Sequence, residues 1–272
     1  MLSLAAGLFG LIVGSFLNVL VMRHGARLLS GRSICFSCSA QIRWYDNVPL
    51  ISWFVLRGRC RRCHSAISIQ YPLVEALTGV LFALIFPILV RSIDFFSALD
   101  VFVFVAHLLL VSLLVAIAVY DARHTIIPDV WAYAFSVLAL VIALLTHPVP
   151  LTIILLSGPA AALPLFTLWL VSRGTWMGLG DAKLALGFGW FLGPLFGIIA
   201  IFLAFVIGAI VSVCILLPLP YVVAWLRKRG IARLSGGAAH FTMKSEVAFG
   251  PFLVAAFFVT WISLLYQIPL PL

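Results

Sequence analysis

Residues 98–120 read ALDVFVFVAHLLLVSLLVAIAVY and contain one charged side chain, that of Asp100. An apolar stretch of about 18 residues or more is typical of a helix that crosses a lipid bilayer. Further apolar segments lie at 2–22, 72–90, 129–146, 151–172, 183–199, 200–225 and 248–267. The chain is therefore predicted to be an all-α polytopic membrane protein with about eight transmembrane helices.

The composition supports this class. Of the 272 residues, 64% are apolar and only 9% are charged, whereas a soluble domain carries about 25% charged residues. Too little polar surface is available to cover a water-soluble globule. The segment 2–22 lacks a basic region before it and a small-residue cleavage site after it, so we expect it to remain as the first helix.

The basic residues predict the orientation, because lysine and arginine accumulate in cytoplasmic loops. If the N-terminus lies outside, every basic residue except Arg91 falls inside or at the inner boundary. The inner residues are Arg23, Arg27, Arg32, Arg43, Arg57, Arg59, Arg61, Arg62, Arg123, Arg173, Lys183, Arg227, Lys228, Arg229, Arg233 and Lys244. The net charge of +9 is thus expected to meet anionic membrane lipids, and no nucleic-acid partner is expected.

The chain divides into a first transmembrane helix at 1–22, a cytoplasmic cysteine-rich insert at 23–71 and a membrane bundle at 72–272. The insert contains two Cys-x-x-Cys pairs, formed by Cys35, Cys38, Cys60 and Cys63. Four thiolates on two tight turns can surround one tetrahedral zinc ion, with no open position for catalysis. A structural zinc knuckle is therefore predicted, and free cysteines or a redox pair are the alternatives. A second basic loop is predicted at 226–247.

Acidic residues at the ends of membrane spans are candidates for function, because ionised groups there are costly. Asp121 ends the third apolar segment, Asp129 begins the fourth, and Asp181 lies in the sequence Gly178-Leu179-Gly180-Asp181. All three fall at the cytoplasmic boundary in the predicted topology. Two carboxyl groups in a poorly solvated site share a proton, so one acts as base and the other as acid. Asp121 and Asp181 are the candidate catalytic pair.

Structural roles are open for the same acids. Asp129 follows Pro128 and could cap the start of a helix, Asp181 could do the same with Lys183 as its local partner, and Asp121 could pair with Arg123. A glycine-flanked aspartate favours function, because two glycines allow a backbone or a peptide to approach closely.

The sequence resembles the bacterial type IV prepilin peptidases, membrane aspartyl proteases of the Gly-x-Gly-Asp type, over nearly its whole length. The motifs that carry the likeness are, in chain order, Gly14-Ser15-Phe16-Leu17-Asn18-Val19, Trp44-Tyr45-Asp46-Asn47-Val48-Pro49, Arg57-Gly58-Arg59-Cys60, Tyr71-Pro72-Leu73-Val74-Glu75, Asp121, Ile127-Pro128-Asp129, Gly178-Leu179-Gly180-Asp181-Ala182-Lys183-Leu184 and Phe249-Gly250-Pro251-Phe252. Each motif alone is weak, but their combination in this order is specific.

The resemblance implies that Asp121 and Asp181 are catalytic, that 72–272 is a membrane-embedded peptidase bundle, and that the substrates are prepilins or pseudopilins. Cleavage would occur at the cytoplasmic face of the bacterial inner membrane. The family commonly also methylates the new N-terminus with S-adenosylmethionine, and the cysteine-rich insert is associated with that activity. No glycine-rich nucleotide loop that would place the methyl donor is recognisable in the sequence, so this second activity follows from the resemblance alone.

The sequence also departs from the family pattern. No proline follows Arg23 within the next four residues, and Phe36 takes the place of the proline that usually follows the first cysteine. These changes bear on the turns of the insert, and so on methylation more than on proteolysis. Glu75 is either a helix-start carboxylate or a functional group there. The alternative functions are a proton-coupled transporter, or a non-enzymatic membrane scaffold whose zinc knuckle recruits a partner.

Overall fold

A computed structural model describes residues 1–24, 33–91, 97–218 and 247–269. The helices are α1 (Leu2–Arg23), α2 (Ile51–Val55), α3 (Gln70–Arg91), α4 (Ala98–His124), α5 (Asp129–Thr146), α6 (Leu151–Ser172), α7 (Leu179–Leu192), α8 (Pro194–Val211) and α9 (Gly250–Tyr266). A short 3₁₀ turn at Trp44–Asn47 precedes α2, and a π-helical turn at Ser212–Leu216 follows α8. Within these residues the only strand-like pairings are two isolated bridges. The predicted all-helical class is confirmed.

Six of the described helices are long and apolar enough to cross a membrane, namely α1, α3, α4, α5, α6 and α8 with its π-helical extension. The apolar helix α9 is shorter, with 17 residues. We predicted about eight spans, and the described part of the chain contains six to seven. The difference lies in α7, which has only 14 residues and carries Asp181 in its first turn.

One predicted boundary between two spans is wrong. The predicted segments were 183–199 and 200–225, whereas α7 ends at Leu192 and α8 begins at Pro194. Gly193 between them has a φ of +83°, which favours glycine, and a proline is well accommodated at the first position of a helix. The Gly-Pro pair therefore sets the boundary. The end of the second segment and residues 226–246 of the predicted basic loop lie outside the described residues.

The chain forms two compact units, one comprising Met1–Tyr120 with Ile262–Pro271 and the other Asp121–Trp261. In the first unit α1 packs against α3 through small residues. A Cβ atom added to Gly10 would lie 2.8 Å from the Phe82 Cβ, and one added to Gly14 would lie 2.8 Å from the Glu75 Cα. Small residues four positions apart let two membrane helices approach closely. The predicted division at residues 22 and 71 stays a prediction.

In the second unit α7 packs between its neighbours through glycines. A side chain at Gly187 would overlap the ring of Phe135 in α5, and one at Gly189 would overlap the Ser157 carbonyl oxygen in α6. Phe257 of α9 joins this core, with its ring 4.8 Å from that of Phe188 and 5.8 Å from that of Phe135. This packing fixes α7, and with it the helix start that carries Asp181.

Candidate active site and four-cysteine cluster

Asp121 lies in the last turn of α4, and its side chain is directed into protein. The residue is only 4% exposed. Its Oδ2 atom accepts a hydrogen bond of 2.8 Å from the backbone N–H of Gly250, at the start of α9. A buried carboxyl group needs such a partner, because an unpaired one would be costly to desolvate.

Asp181 is the third residue of α7 and is 7% exposed. Its carboxyl group lies within electrostatic range of Asp121. A Cβ atom on Gly180 would lie 2.9 Å from the Ile127 Cβ, so glycine at this position allows α7 to start directly against the chain that enters α5. A Cβ atom on Gly178 would make only ordinary contact, 3.7 Å from Asp181 Oδ2. Close packing thus requires the second glycine of the motif and not the first.

Asp129 is separate from this pair. Its Oδ1 atom lies 2.7 Å from Lys183 Nζ, and its side chain is 63% exposed. Asp129 is the first residue of α5, so its carboxylate lies in the first turn of the helix, where it meets the positive end of the helix dipole; the cap residue itself is Pro128, which makes no side-chain hydrogen bond. Lys183 pairs with Asp129 and also lies 5.1 Å from the centre of the Tyr133 ring. Lys183 therefore does not serve Asp181 as the local partner considered from the sequence. The Lys183–Asp129 pair could not be predicted, because its two residues are 54 positions apart.

The four cysteines of the insert converge. Their Sγ atoms all lie within 4.8 Å of one another, and those of Cys35 and Cys63 are 3.8 Å apart. Sulfur atoms that bind one zinc ion tetrahedrally at about 2.3 Å lie about 3.8 Å from each other. The cluster is therefore near the size that a metal of this kind requires.

Two matching turns present these thiols. The N–H of Ser39 bonds to the carbonyl of Cys35 at 2.9 Å, and the N–H of His64 bonds to that of Cys60 at 3.0 Å. Ser39 and His64 have φ values of 54° and 56°, in the left-handed region. Each turn is bracketed by one isolated antiparallel bridge, Ile34–Gln41 or Arg59–Ala66. The repeated geometry directs two cysteines from each turn toward one point.

The electrostatics of the cluster favour a bound cation. Hydrogen bonds from the backbone N–H groups of Cys38 and Ser37 lower the pKa of Cys35 to about 6. Hydrogen bonds from the hydroxyl and N–H groups of Ser65 lower the pKa of Cys63. The N–H of Ala40 also favours the Cys38 thiolate, but partial burial and the neighbouring Cys63 and Cys35 sulfurs outweigh it and raise the pKa of Cys38 to about 11. A cation is the group that would hold all four sulfurs ionised together.

Glu75 attaches the insert to the membrane helices of the same unit. The residue is 7% exposed, and its Oε2 atom accepts a hydrogen bond of 2.8 Å from the N–H of Leu50. The Ser15 hydroxyl in α1 also bonds to it. Leu50 has a φ of 59° and ψ of −55°, an unusual conformation for a leucine, and it directs its N–H toward the carboxylate. Glu75 therefore joins α1, α3 and the turn before α2.

Comparison with known proteins shows the family to which the chain belongs. The family described as Bacterial Peptidase A24 N-terminal domain matches residues 8–88, and the family described as Type IV leader peptidase matches residues 108–213. A Neisseria gonorrhoeae protein named prepilin leader peptidase/N-methyltransferase is 30% identical over 76% of this chain and 80% of its own length. A Dickeya chrysanthemi protein of the same name is 31% identical over 93% of this chain and 89% of its own length. This chain belongs to the type IV leader peptidase family.

A third member of the type IV leader peptidase family matches more strongly over a shorter region. A Myxococcus xanthus protein of the same name is 44% identical over 125 residues, which cover 44% of this chain and 33% of that protein. No solved structure matches this chain significantly. Asp121 and Asp181 both lie inside the matched type IV leader peptidase region, and the four cysteines lie inside the matched A24 N-terminal region.

One component of the site, Gly250, was not predicted from the sequence. Gly250 was recognised only as part of a family motif, yet its N–H is the hydrogen-bond donor to Asp121. The Gly-Pro dipeptide at the start of the last apolar segment is the sequence signal that marks this position as a helix start. Nothing in the sequence indicates which carboxylate that helix start would meet.

Proposed function

We propose that this protein is a prepilin leader peptidase and N-methyltransferase of the bacterial inner membrane, and that Asp121 and Asp181 are its catalytic pair. The observation that supports this role is that two buried carboxyl groups, separated by 60 positions in the sequence, come within electrostatic range of each other. The substrates are prepilins, since the relatives are named prepilin leader peptidases, or the pseudopilins that the family resemblance also implies.

The carboxyl groups of Asp121 and Asp181 can divide the proton transfers of peptide hydrolysis between them. One carboxylate takes a proton from a water molecule as the water attacks the scissile carbonyl carbon. The other, protonated, donates its proton to the carbonyl oxygen, which gives a gem-diol. As the C–N bond breaks, the first carboxyl group passes the proton it took from water to the leaving amine, and the second takes a proton back from a gem-diol hydroxyl. Two neighbouring carboxyl groups in a site of low polarity are suited to these roles, because both cannot be ionised together at small cost.

The location of cleavage follows from the predicted topology. The N-terminus lies outside, and the ends of α4 and α7 that carry the two aspartates lie at the cytoplasmic face. The apolar segment of a prepilin would occupy the membrane beside the bundle, with its leader junction at Gly178–Asp181. The basic loops on this side would contact anionic lipid headgroups.

The cysteine cluster would bind one zinc ion through Cys35, Cys38, Cys60 and Cys63. The size of the cluster fits tetrahedral coordination by sulfur, and four protein ligands leave no position for substrate. The ion would supply folding energy that the small insert lacks. Its role is structural, and no step of peptide cleavage passes through it.

The methylation step uses S-adenosylmethionine as the methyl donor and the new N-terminal amine as the acceptor. Support for this second activity is the name of the relatives, which includes N-methyltransferase. We assign no residue to the donor.

A proton-coupled transporter or a zinc-bearing scaffold is a weaker proposal. A transporter would place its acidic residues at the middle of the membrane on broken helices. Asp121 lies three residues before the end of α4, and Asp181 lies two residues after the start of α7. The pairing of two buried acids at helix ends favours hydrolysis instead.

Co-expression with a prepilin tests the proposal. Mass spectrometry of the prepilin N-terminus distinguishes the full leader, a cleaved end and a cleaved, methylated end in one measurement. We expect the wild type to give the third product and Asp181→Asn to leave the leader intact. Removal of the leader by Asp181→Asn would exclude Asp181 as a catalytic residue.

A further inference from the structure

The backbone at the start of α9 contacts the side chain of Asp121 directly. The N–H of Gly250 lies 2.8 Å from Asp121 Oδ2, although the two residues are 129 positions apart. The first amides of a helix have no acceptor within the helix, so this N–H is free to bind an outside group. Asp121 therefore receives its hydrogen bond from a backbone group, which cannot rotate away as a side chain could.

Glycine is required at position 250 because a side chain would not fit there. The backbone conformation at this position does not itself require glycine. A Cβ atom built on Gly250 would lie 2.6 Å from Asp121 Oδ2, 3.0 Å from its Cγ and 3.2 Å from its Cβ. Even alanine would collide with the carboxyl group. Either the helix start or the carboxyl group would have to move.

The helix start is held in place by packing. The ring of Phe249 lies 4.8 Å from that of Phe205 in α8, and the ring of Phe252 packs against Gly208 of the same helix. Further along α9, Phe257 is fully buried against rings from α5 and α7. Because α9 is fixed from two sides, the Asp121 carboxyl group is the part that would move.

We infer that Gly250 is a positioning residue of the peptidase, which holds Asp121 through its N–H and through the space that its missing side chain leaves. The bond is made to Oδ2 and therefore fixes the orientation of the Asp121 carboxyl group. This inference rests on the proposed function, in which Asp121 is catalytic. Gly250→Ala should therefore act on the chemical step and leave substrate binding intact.

The experiment uses the full-length enzyme in nanodiscs with a peptide that spans the leader junction of a prepilin. We expect Gly250→Ala to lower kcat about 100-fold, the loss that a displacement of about 1 Å can cause, with KM within twofold of the wild type. The matched control is Gly208→Ala, whose new methyl group would lie 3.2 Å from the ring of Phe252 and does not touch Asp121. It should keep kcat within threefold.

A second measurement separates positioning from folding. Uncleaved prepilin should copurify with Gly250→Ala as it does with Asp121→Asn. A Gly250→Ala variant that captures no prepilin and melts well below Gly208→Ala would overturn the inference, because the glycine would then serve the fold. Wild-type kcat in Gly250→Ala, with Asp121→Asn inactive, would also overturn it and leave the proposed function intact. Cleavage by Asp121→Asn would instead reject the proposed function itself.

Discussion

The cysteine-rich insert and the aspartate region hold their functional groups in opposite ways. In the insert, large apolar side chains face outward; Trp44 is 83% exposed and Phe54 is 67% exposed. Around the aspartates, Phe135, Phe188 and Phe257 have no exposed surface. The insert is therefore held by local contacts, namely its converging cysteines and the bonds to Glu75, whereas the aspartate region depends on close helix packing. The two regions should respond differently to the same kind of change.

The largest effect is expected from the aspartates. Asp121→Asn and Asp181→Asn should each lower prepilin cleavage by about 10²- to 10⁴-fold, the usual contribution of a general acid or base, because asparagine cannot exchange the proton. The measurement is kcat on a leader-junction peptide. Asp129→Asn is the matched control; it removes only the ion pair with Lys183, whose carboxylate side is exposed to solvent, and should remain active.

The second effect tests whether the insert depends on its metal. Cys60→Ser should reduce the zinc content of the purified protein from about one ion per chain to near zero, and limited proteolysis should then cut within 33–69. Cleavage of prepilin should continue, while methylation of the product should fall. Cys214→Ser is the control, since Cys214 lies outside the cluster. Loss of cleavage and methylation together would contradict the separation of the two regions.

A smaller effect tests the packing of the aspartate region. Gly189→Ala should destabilise the protein by about 1–3 kcal/mol, the usual cost of an overpacked core, because its methyl group would overlap the Ser157 carbonyl oxygen. Thermal unfolding in detergent measures the change. Gly7→Ala provides the comparison, since a Cβ atom there would make ordinary contact at 3.4 Å. Equal melting temperatures for the two variants would show that packing around α7 is looser than described.

The smallest effect concerns the link between the insert and its membrane helices. Glu75→Gln keeps the shape of the side chain but replaces a charged acceptor by a neutral one, which lowers the contribution of the bond from the Leu50 N–H from about 1.5–3 kcal/mol to about 0.5–1.5 kcal/mol. Hydrogen exchange at residues 48–52 should become faster, while exchange in α7 should not change. Unaltered exchange at residues 48–52 would mean that Glu75 does not fasten the insert.

Much of this organisation could be predicted from the sequence, because the signals for it lie within short stretches of the chain. Apolar runs of sufficient length identify membrane helices without knowledge of their neighbours, and two Cys-x-x-Cys pairs indicate a metal cluster by spacing alone. The misplaced boundary between the predicted segments 183–199 and 200–225 also has a local cause. A Gly-Pro pair such as Gly193-Pro194 favours a break in a helix, yet the apolar character continues across it, so hydrophobicity alone gave no boundary there.

The contacts between distant residues required the fold. The Lys183–Asp129 pair, the bond from Leu50 to Glu75 and the bond from Gly250 to Asp121 each join residues that are 25 or more positions apart. Hydrophobic patterns contain no information about which helix start meets which carboxylate. The sequence by itself determined that the chain is a helical membrane protein with a cysteine cluster and a small set of candidate acids. The tertiary structure decided which acids lie within electrostatic range of each other, because helix packing through glycines such as Gly180 and Gly189 places the start of α7.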